Sequence, residues 1–236
     1  MKSRFVVAIT FVASCCCAQT AAAPAEAATS SPGGTIPKVS FQFERVGLPV
    51  PKFTIVVHED GTGTYQAEIA PVSSGGMGQT AAASSVNQPI TVSSPTKEMI
   101  FKTARSLDHF NIECASKAKH IADTGKKVLS YQGTDGQGSC LYNYSENKGI
   151  MQLTDIFYAL AFTMDEGRKL AFLHRFDRLG LYSEMDVLQH EVEGKRAIEL
   201  ANIAPALHSI IADEDLMQRV RERAARLLAQ VDDGTK

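Results

Sequence analysis

Apolar and polar residues alternate along much of the first half of the chain, with a period of two. This period is typical of β-strands that bury one face and expose the other. It predicts six strands, at residues 39–44, 52–58, 64–69, 87–93, 126–132 and 139–145. Asp60 and Gly61 separate the second and third of these strands and form a dipeptide typical of hairpin turns. We therefore expect an antiparallel sheet that contains hairpins.

Two segments of the same half show helical spacing instead. Residues 94–107 place apolar side chains on one helical face, and Ser94 followed by Pro95 is a favourable helix start. Residues 117–125 predict a shorter helix that ends at Gly125. The first half of the chain is thus predicted to combine strands with one or two helices.

The second half of the chain keeps the helical period almost throughout. Thr163 and Ser183 each precede an acidic residue by three positions, which is the spacing of a capping box and predicts a helix start at both. Gly180 predicts a helix end between them. The expected fold class is α+β, with an α+β domain at residues 38–149 and a helical domain at residues 150–232.

Residues 1–27 have the layout of a secretory signal peptide. Two basic residues precede an apolar run over residues 5–14, and small residues follow. The run is about half as long as the roughly twenty apolar residues that span a bilayer. The three residues before Cys15 resemble the lipobox of bacterial lipoproteins, which implies cleavage before Cys15 and lipidation of its thiol. Cleavage after Ala18 or at the end of the signal segment is the alternative, and a small-residue linker over residues 28–37 follows.

Composition and charge narrow the range of partners. Hydrophobic residues make up 44% of the chain and charged residues 21%, which suits a folded domain. The formal net charge of −2 provides no basic field, so nucleic acid is not expected as a partner. No second long apolar run follows the signal segment, so we expect no transmembrane span.

Two cysteines, Cys114 and Cys140, lie beyond the signal segment. In an oxidising compartment such a pair predicts a disulfide, and closing a loop of about 27 residues stabilises a fold by roughly 3 to 4 kcal/mol. The alternative is a catalytic thiol activated by a neighbouring imidazole, such as that of His109 or His120.

The sequence contains no motif for catalysis, metal binding or cofactor binding. The six histidines show neither HxH nor HExxH spacing, so no metal site and no cofactor are expected. No GxSxG sequence marks a hydrolase nucleophile. Arg175, Asp177 and Arg178 lie near a predicted helix end, where they form either an anion site or a solvated local ion pair.

The sequence FTIVVHEDGTGTYQAEI at residues 53–69, together with the order of predicted elements around it, resembles a set of uncharacterised α+β domains in secreted bacterial proteins. The resemblance implies a small α+β domain in the cell envelope. It carries no catalytic motif and therefore implies no reaction.

Residues 197–230 resemble one HEAT-type helical repeat, with a first helix interrupted by Pro205, an acidic link and a second helix. Repeats of this kind stack into scaffolds for other proteins, but about three are needed for a stable solenoid. The resemblance therefore implies a helix pair that packs against the α+β domain. The second helix carries basic side chains at helical spacing, Arg219, Arg223 and Arg226. This arginine stripe is either a contact for an acidic partner or phospholipid headgroups, or a solvated helix face.

These observations predict an exported cell-envelope protein, periplasmic or secreted, that acts by binding and not by catalysis. Its expected partner is another envelope protein or a surface, with a lipid anchor at Cys15 if the lipoprotein route is used. A secreted hydrolase whose active site has no sequence motif is the alternative.

Overall fold

A computed structural model describes residues 36–71 and 83–233 of the chain. Within these residues the predicted α+β class is confirmed, because a six-stranded antiparallel sheet in the N-terminal part is followed by helices. The strands are β1 (Lys38–Glu44), β2 (Lys52–His58), β3 (Thr62–Ile69), β4 (Ser84–Thr91), β5 (Lys126–Gly133) and β6 (Gly136–Tyr142). The α-helices are α1 (Ser94–Ser106), α2 (Lys148–Phe176), α3 (Gly180–Glu193), α4 (Ala204–Ala212) and α5 (Gln218–Asp233), with 3₁₀ turns at Asp108–Phe110 and Leu200–Ile203. The signal segment, Cys15 and most of the linker lie outside the described residues.

The strands follow the order β4-β3-β2-β1-β5-β6, and every neighbouring pair is antiparallel. The first four strands form a meander, and the β5–β6 hairpin pairs with the free side of β1. The alternation on β1 buries Val39, Phe41 and Phe43 on one face, and leaves Ser40 half-buried and Gln42 exposed on the other. One face of the sheet therefore belongs to the core and the other is polar.

The turn between β2 and β3 is the predicted hairpin turn. Gly61 adopts a φ of +90°, a left-handed conformation that favours glycine because it has no side chain. The Asp60 carboxylate accepts hydrogen bonds from the N–H and the hydroxyl of Thr62 at 2.8 and 2.7 Å. These bonds hold the pKa of Asp60 below its usual range, so the carboxylate stays charged and keeps the turn closed.

Helix α2 is one continuous helix, so the predicted helix start at Thr163 is wrong. The N-cap is Asn147, whose side-chain oxygen accepts hydrogen bonds from the N–H groups of Gly149 and Ile150. Thr163 is buried inside the helix, where its hydroxyl lies 3.0 Å from the Ala159 carbonyl oxygen and 2.8 Å from the Ile198 carbonyl oxygen, and accepts from the Ile198 N–H at 3.0 Å. Because these bonds join α2 to the segment after α3, Thr163 does not act as a cap.

Helix α3 begins at Gly180, so the predicted start at Ser183 and the predicted helix end at Gly180 are both wrong. Helix α2 ends at Phe176, and the Asp177 carboxylate then accepts a hydrogen bond from the Gly180 N–H at 3.0 Å. The Ser183 hydroxyl lies within α3 and donates to the Gly180 carbonyl oxygen at 3.0 Å. The acidic residue that supports the start of α3 thus precedes the helix and does not follow Ser183.

Three smaller expectations about helices are also wrong. Residues 117–125 form no helix, because their polar groups bond to the end of β6 instead. The N-cap of α1 is Ser93 and not Ser94, and the Ser93 hydroxyl donates to Glu199 at 2.7 Å. Pro205 interrupts no helix, since it lies in the first turn of α4, where a proline needs no N–H partner.

Two hydrophobic clusters fill the described part of the molecule. The first lies between the sheet, α1 and most of α2, and the second joins the C-terminal end of α2 with α3, α4 and α5. The predicted domain boundary at residue 150 falls in the first turn of α2. The predicted disulfide between Cys114 and Cys140 is present and ties the segment after α1 to β6. Among the described helices, none is long and apolar enough to cross a membrane.

Candidate functional site

A groove opens between the buried face of the sheet and α2. Its volume is about 670 Å³, within the range of roughly 300–1,000 Å³ typical of small-molecule sites. Among the described residues, seven aromatic side chains line it: Phe43, Phe53, Tyr65, Tyr142, Tyr144, Tyr158 and Phe162. Five lining residues are aliphatic: Leu48, Pro49, Val50, Met151 and Ala161. The other seven are polar or charged: Arg45, Thr124, Lys127, Asn143, Thr154, Asp155 and Asp165. We call this cavity the aromatic groove.

The aromatic wall follows from strand register and helix spacing. Phe43 on β1 lies opposite Phe53 on β2, and their ring centroids are 5.2 Å apart. Tyr158 on α2 meets Phe43 edge to face, with centroids 5.4 Å apart and an interplanar angle of 81°. Phe162 lies about one turn further along α2. Because strands and a helix hold these rings, the wall is part of the core packing.

The connection between β1 and β2 forms one rim of the aromatic groove. The Arg45 N–H donates to the Pro51 carbonyl oxygen at 2.8 Å, which closes this connection. Gly47 adopts a φ of +88°, a conformation that favours glycine, and Leu48 and Val50 after it line the groove. The rim therefore brings both a cation and apolar side chains to the entrance.

The tyrosines of the aromatic groove differ in how their hydroxyl groups are bound. The Thr154 hydroxyl donates to the Ile150 carbonyl oxygen at 2.7 Å, so it accepts from the Tyr142 hydroxyl at 2.6 Å. Tyr65 is 2% exposed, yet within the described residues neither its hydroxyl nor that of Tyr158 has a hydrogen-bond partner. Burial raises the pKa of both phenols well above its usual range, so both stay neutral. Neither hydroxyl oxygen is among the enclosed polar atoms that lack a partner, so both hydroxyls are accessible and free to donate to a molecule in the groove.

Lys127 is buried in the wall of the aromatic groove. Its ammonium group has four oxygen acceptors: Asn143 O at 2.6 Å, Thr124 Oγ1 at 2.9 Å, Gly125 O at 3.1 Å and Thr124 O at 3.2 Å. Burial lowers the pKa of Lys127, and the negative charge of Asp123 opposes this shift. Four acceptors occupy all three N–H donors, so the side chain holds a charge in place and is not a nucleophile.

The charged side chains that line the groove differ in whether they already have a partner. Asp165 accepts two hydrogen bonds from the Arg168 guanidinium, at 2.6 and 3.1 Å. Arg45 and Asp155 have no oppositely charged partner among the residues that the structure describes. Gly125 lies between the two cations, because its carbonyl oxygen accepts from Lys127 at 3.1 Å and a Cβ at Gly125 would lie 3.0 Å from that of Arg45. The positive charge of Arg45 accordingly contributes to the lowered pKa of Lys127.

A second groove, also of about 670 Å³, adjoins the aromatic groove and shares Tyr144, Met151 and Asp155 with it. Its other walls include Met99 from α1 and Ile198 from the segment after α3. Among the described residues, no histidine and no cysteine lines either groove. The two grooves therefore offer no pair of a nucleophile and an imidazole base, which acyl transfer by a serine or cysteine needs.

The cysteine pair beyond the signal segment is structural. Cys114 and Cys140 are bonded to each other, so the alternative of a catalytic thiol beside His109 or His120 is wrong. Cys15, the predicted lipidation site, is not among the described residues. Across residues 36–71 and 83–233, no three His, Cys, Asp or Glu side chains are grouped so that they could hold a metal ion.

The predicted arginine stripe on α5 is not uniform. Arg223 forms an ion pair with Asp186 at 3.0 Å, and its guanidinium lies 5.1 Å from the centre of the Tyr182 ring. Arg219 and Arg226 are exposed. None of the three arginines lines the aromatic groove. Arg223 therefore joins α3 to α5, and Arg219 and Arg226 are the two members of the stripe that face solvent.

The basic segment at the end of α2 is tied to the link between α4 and α5. Arg178 lies 3.1 Å from the Asp213 carboxylate and 3.6 Å from that of Asp215. The His174 ring also bonds to Asp213, at 2.8 Å, and this bond is the main cause of a lowered pKa at Asp213. The sequence left open an anion site or a local ion pair for this segment. Arg178 forms ion pairs, but with Asp213 and Asp215 and not with the neighbouring Asp177.

Sequence reasoning missed the aromatic groove because its rings come from distant parts of the chain. Phe43 and Phe53 lie on β1 and β2, whereas Tyr158 and Phe162 lie on α2. The alternation identifies Phe43 as inward-facing, but inward-facing side chains have the same pattern beside a neighbour and beside a cavity. The usable signal is the concentration of aromatic residues at inward positions, next to an arginine in a turn.

No protein-family model and no curated protein matches this chain. The resemblances to secreted α+β domains and to a HEAT-type repeat stay predictions. Function is therefore inferred from the chemistry of the groove, since a fold alone does not imply an activity.

Proposed function

We propose that this protein is a non-catalytic binding protein whose aromatic groove takes a small, largely apolar molecule. The observation that carries the proposal is Tyr65, whose ring is buried in a groove lined by aromatic rings and whose accessible hydroxyl has no partner within the described residues. Concave apolar sites with a few convergent polar groups are the usual form of small-molecule sites. The rings supply contact area, and the free phenols of Tyr65 and Tyr158 supply directional hydrogen bonds.

The alternative, a secreted hydrolase, has less support from the groove. The Thr154 hydroxyl already donates to Ile150 and accepts from Tyr142, so it is poorly placed to attack a substrate. The amine of Lys127 is engaged by four oxygens and cannot act as a base without losing those bonds. No imidazole lines either groove.

Fluorescence titration with N-phenyl-1-naphthylamine, a neutral apolar dye, tests the proposal. Ala161 lines the aromatic groove and is 7% exposed, so Ala161→Phe places a ring into the space that a ligand would occupy. We expect this variant to lose about tenfold or more in dye affinity. Ala229 is exposed on α5, and Ala229→Phe is the matched control. Equal dye affinity of the two variants and the wild type, each checked for folding by circular dichroism, would contradict the proposal.

We also propose that the protein works outside the cytoplasm, in the periplasm or as a secreted protein. The Cys114–Cys140 disulfide supports an oxidising compartment. Intact mass of the native protein, combined with membrane fractionation, separates the two processing routes. A lipidated N-terminal Cys15 in the membrane fraction supports the anchor, whereas a soluble chain that begins further along supports release. Free thiols at Cys114 and Cys140 in the native protein argue against export.

The proposed partner of the exposed side of α5 is an envelope protein or surface that carries acidic groups. Arg219 and Arg226 supply two exposed cations there. Sedimentation with anionic phospholipid vesicles tests the surface version of this proposal. Binding that is lost in the double variant Arg219→Glu/Arg226→Glu supports it, and binding that is unchanged by the double variant, or absent in the wild type, refutes it.

A further inference from the structure

We infer that the ligand of the aromatic groove is an anionic amphiphile, an apolar chain whose carboxylate lies at the Arg45 end of the groove. This inference rests on the proposed function and adds the chemical class of the ligand. The cations at that end of the groove, the state of its carboxylates and its free phenols support it.

Arg45 and Lys127 bring two positive charges to one end of the aromatic groove. Lys127 lies opposite Phe43 in the β1–β5 ladder, and Arg45 follows Phe43 by two residues at the end of β1. The Lys127 ammonium is bonded to carbonyl and hydroxyl oxygens, so no bonded carboxylate neutralises its charge. Arg45 keeps its planar set of N–H donors, which matches the geometry of a carboxylate. An anion at this end is therefore attracted by both cations.

Asp123 places a negative charge near Lys127, whereas no carboxylate among the described residues pairs with Arg45. Asp165 is engaged by the Arg168 guanidinium. Asp155 is exposed on α2, at the rim that the aromatic groove shares with the second groove. Asp155 also acts on the phenol of Tyr158, so it lies near the same wall as Arg45. An anionic head group is therefore attracted to Arg45, which has no carboxylate partner among the described residues, and is repelled by Asp155.

Tyr158 supplies a hydrogen-bond donor within the field of Arg45. Burial raises the pKa of this phenol, the negative charge of Asp155 adds to the rise, and the positive charge of Arg45 opposes the rise without overcoming it. A neutral phenol donates to a carboxylate oxygen and does not repel it. Tyr65 lies near Asp165 and Arg168, whose charges act on its phenol, so it is placed to donate to a polar substituent elsewhere on the ligand.

Displacement of N-phenyl-1-naphthylamine at neutral pH, below micelle-forming concentrations, tests the charge preference. The competitors are decanoate, 1-decanol and decyltrimethylammonium, which share one chain length and differ in head-group charge. We expect decanoate to bind about tenfold more tightly than the other two, because its carboxylate forms charge-assisted hydrogen bonds. From octanoate to dodecanoate, we expect affinity to rise about fourfold for each CH₂ group that the groove buries.

Variants at the charged end identify the residue responsible. Arg45 is exposed, so its replacement leaves the core intact. Arg45→Ala is expected to weaken decanoate binding about tenfold and to weaken 1-decanol and dye binding less, whereas Arg45→Lys recovers part of the loss because it keeps the charge. Tyr158→Phe removes one hydroxyl and is expected to weaken decanoate binding by about fivefold. Arg219→Ala, an exposed arginine outside the groove, is the control.

The outcomes separate the inference from the proposed function. Dye binding that Ala161→Phe abolishes, combined with equal affinity for the three competitors, overturns the inference and leaves the proposed function standing. Preference for decyltrimethylammonium also overturns the inference, and assigns head-group selection to Asp155. Dye binding that Ala161→Phe does not change overturns both. Preference for decanoate that is lost in Arg45→Ala and kept in Arg219→Ala supports the inference.

Discussion

Lys127 is a buried cation whose partners are backbone and hydroxyl oxygens. Lys127→Met keeps the length of the side chain and leaves the carbonyl oxygens of Gly125 and Thr124 without this donor. A buried polar group without a partner costs roughly 1–3 kcal/mol, so we expect the free energy of unfolding to fall by about 2 kcal/mol in urea denaturation. Lys126 is the exposed neighbour, and Lys126→Met should change it by less than about 0.5 kcal/mol. Equal midpoints for the two variants would contradict this prediction.

Glu166 is a buried carboxyl group at the contact between α2 and α3. Its side chain is 6% exposed and that of Glu184 is 12% exposed. Lys169 bonds to Glu184 at 2.5 Å and lies 3.7 Å from Glu166. Burial, followed by the neighbouring carboxyl group of Glu184, raises the pKa of Glu166 to about 8.

The raised pKa of Glu166 predicts how stability depends on pH. In the unfolded chain Glu166 ionises near pH 4.5, whereas in the folded chain it keeps its proton until about pH 8. Between these values the unfolded state binds fewer protons, so the contribution of Glu166 to stability falls as the pH rises. Glu166→Gln removes this titration. We therefore expect the free energy of unfolding of the variant minus that of wild type to be larger at pH 8 than at pH 5.

Urea denaturation of both proteins at the two pH values measures this difference. Glu98 is an exposed carboxylate on α1, and Glu98→Gln is the control that should show no such change. If Glu166→Gln and wild type differ by the same amount at pH 5 and pH 8, Glu166 does not titrate in this window.

At the scale of the elements, an asparagine side chain bonds to each edge strand of the sheet. The Asn202 amide accepts from the Thr91 N–H at 2.8 Å and donates to the Thr91 carbonyl oxygen at 2.9 Å, as a neighbouring strand would. At the other edge, Asn111 donates to the Gln137 carbonyl oxygen of β6 at 2.9 Å. Pro89 on β4 has no N–H to offer to a further strand. Because unpaired edges pair with strands of other molecules, these features limit association.

The edge of β4 provides a test of this protection. The Val92 N–H bonds to Gly61 on the β3 side, so the residues that alternate with it, including Pro89 and Thr91, direct their backbone groups outwards. Pro89→Val restores an outward N–H at position 89. Asn202→Ala frees the N–H and the carbonyl oxygen of Thr91, so the double variant exposes three more backbone groups at this edge. At equal protein concentration, we expect sedimentation velocity to show a larger oligomeric fraction for the double variant than for wild type. Identical sedimentation of the double variant and wild type would show that other features protect this edge.

The strands could be predicted more fully than the helix boundaries, and particular residues explain why. The two faces of the sheet meet different surroundings, so Phe41 and Gln42 differ in burial as their positions require. Thr163 and Ser183 match capping patterns, but the Ser183 hydroxyl donates to a carbonyl oxygen of its own helix, and the Thr163 hydroxyl bonds to Ala159 in α2 and to the backbone of Ile198. A serine or threonine hydroxyl can either cap a helix or bond to a backbone carbonyl oxygen within it. Which of the two occurs depends on whether packing against the rest of the molecule extends the helix past that residue.

At the scale of the whole molecule, the disulfide could be predicted and the aromatic groove could not. Cys114 and Cys140 are the two cysteines beyond the signal segment, so they can pair in one way. The groove depends on where α2 lies relative to β1 and β2, which leaves space beside Tyr158. No local pattern encodes that separation. Arg45 likewise becomes a candidate site residue only once Lys127 is seen near it.

The disulfide supports the charged end of the groove from a distance. It holds the segment that follows the left-handed turn at Asp108–Phe110, whose φ angles lie between 49° and 69° and cost roughly 1–2 kcal/mol per residue. Further along this segment, Thr124 bonds to Asn143 and to Lys127, and all three line the aromatic groove. Loss of the disulfide is therefore expected to affect both stability and binding.

The double variant Cys114→Ala/Cys140→Ala tests this coupling. Opening a loop whose ends are 26 residues apart should lower the free energy of unfolding in urea by about 3 kcal/mol. In the absence of urea, we expect weaker binding of N-phenyl-1-naphthylamine, because Thr124 and Asn143 are then held less firmly at the groove. Wild type treated with a reductant should reproduce both effects. A variant that is less stable but binds the dye as tightly as wild type would show that Lys127 and its oxygen partners hold this end of the groove without the disulfide.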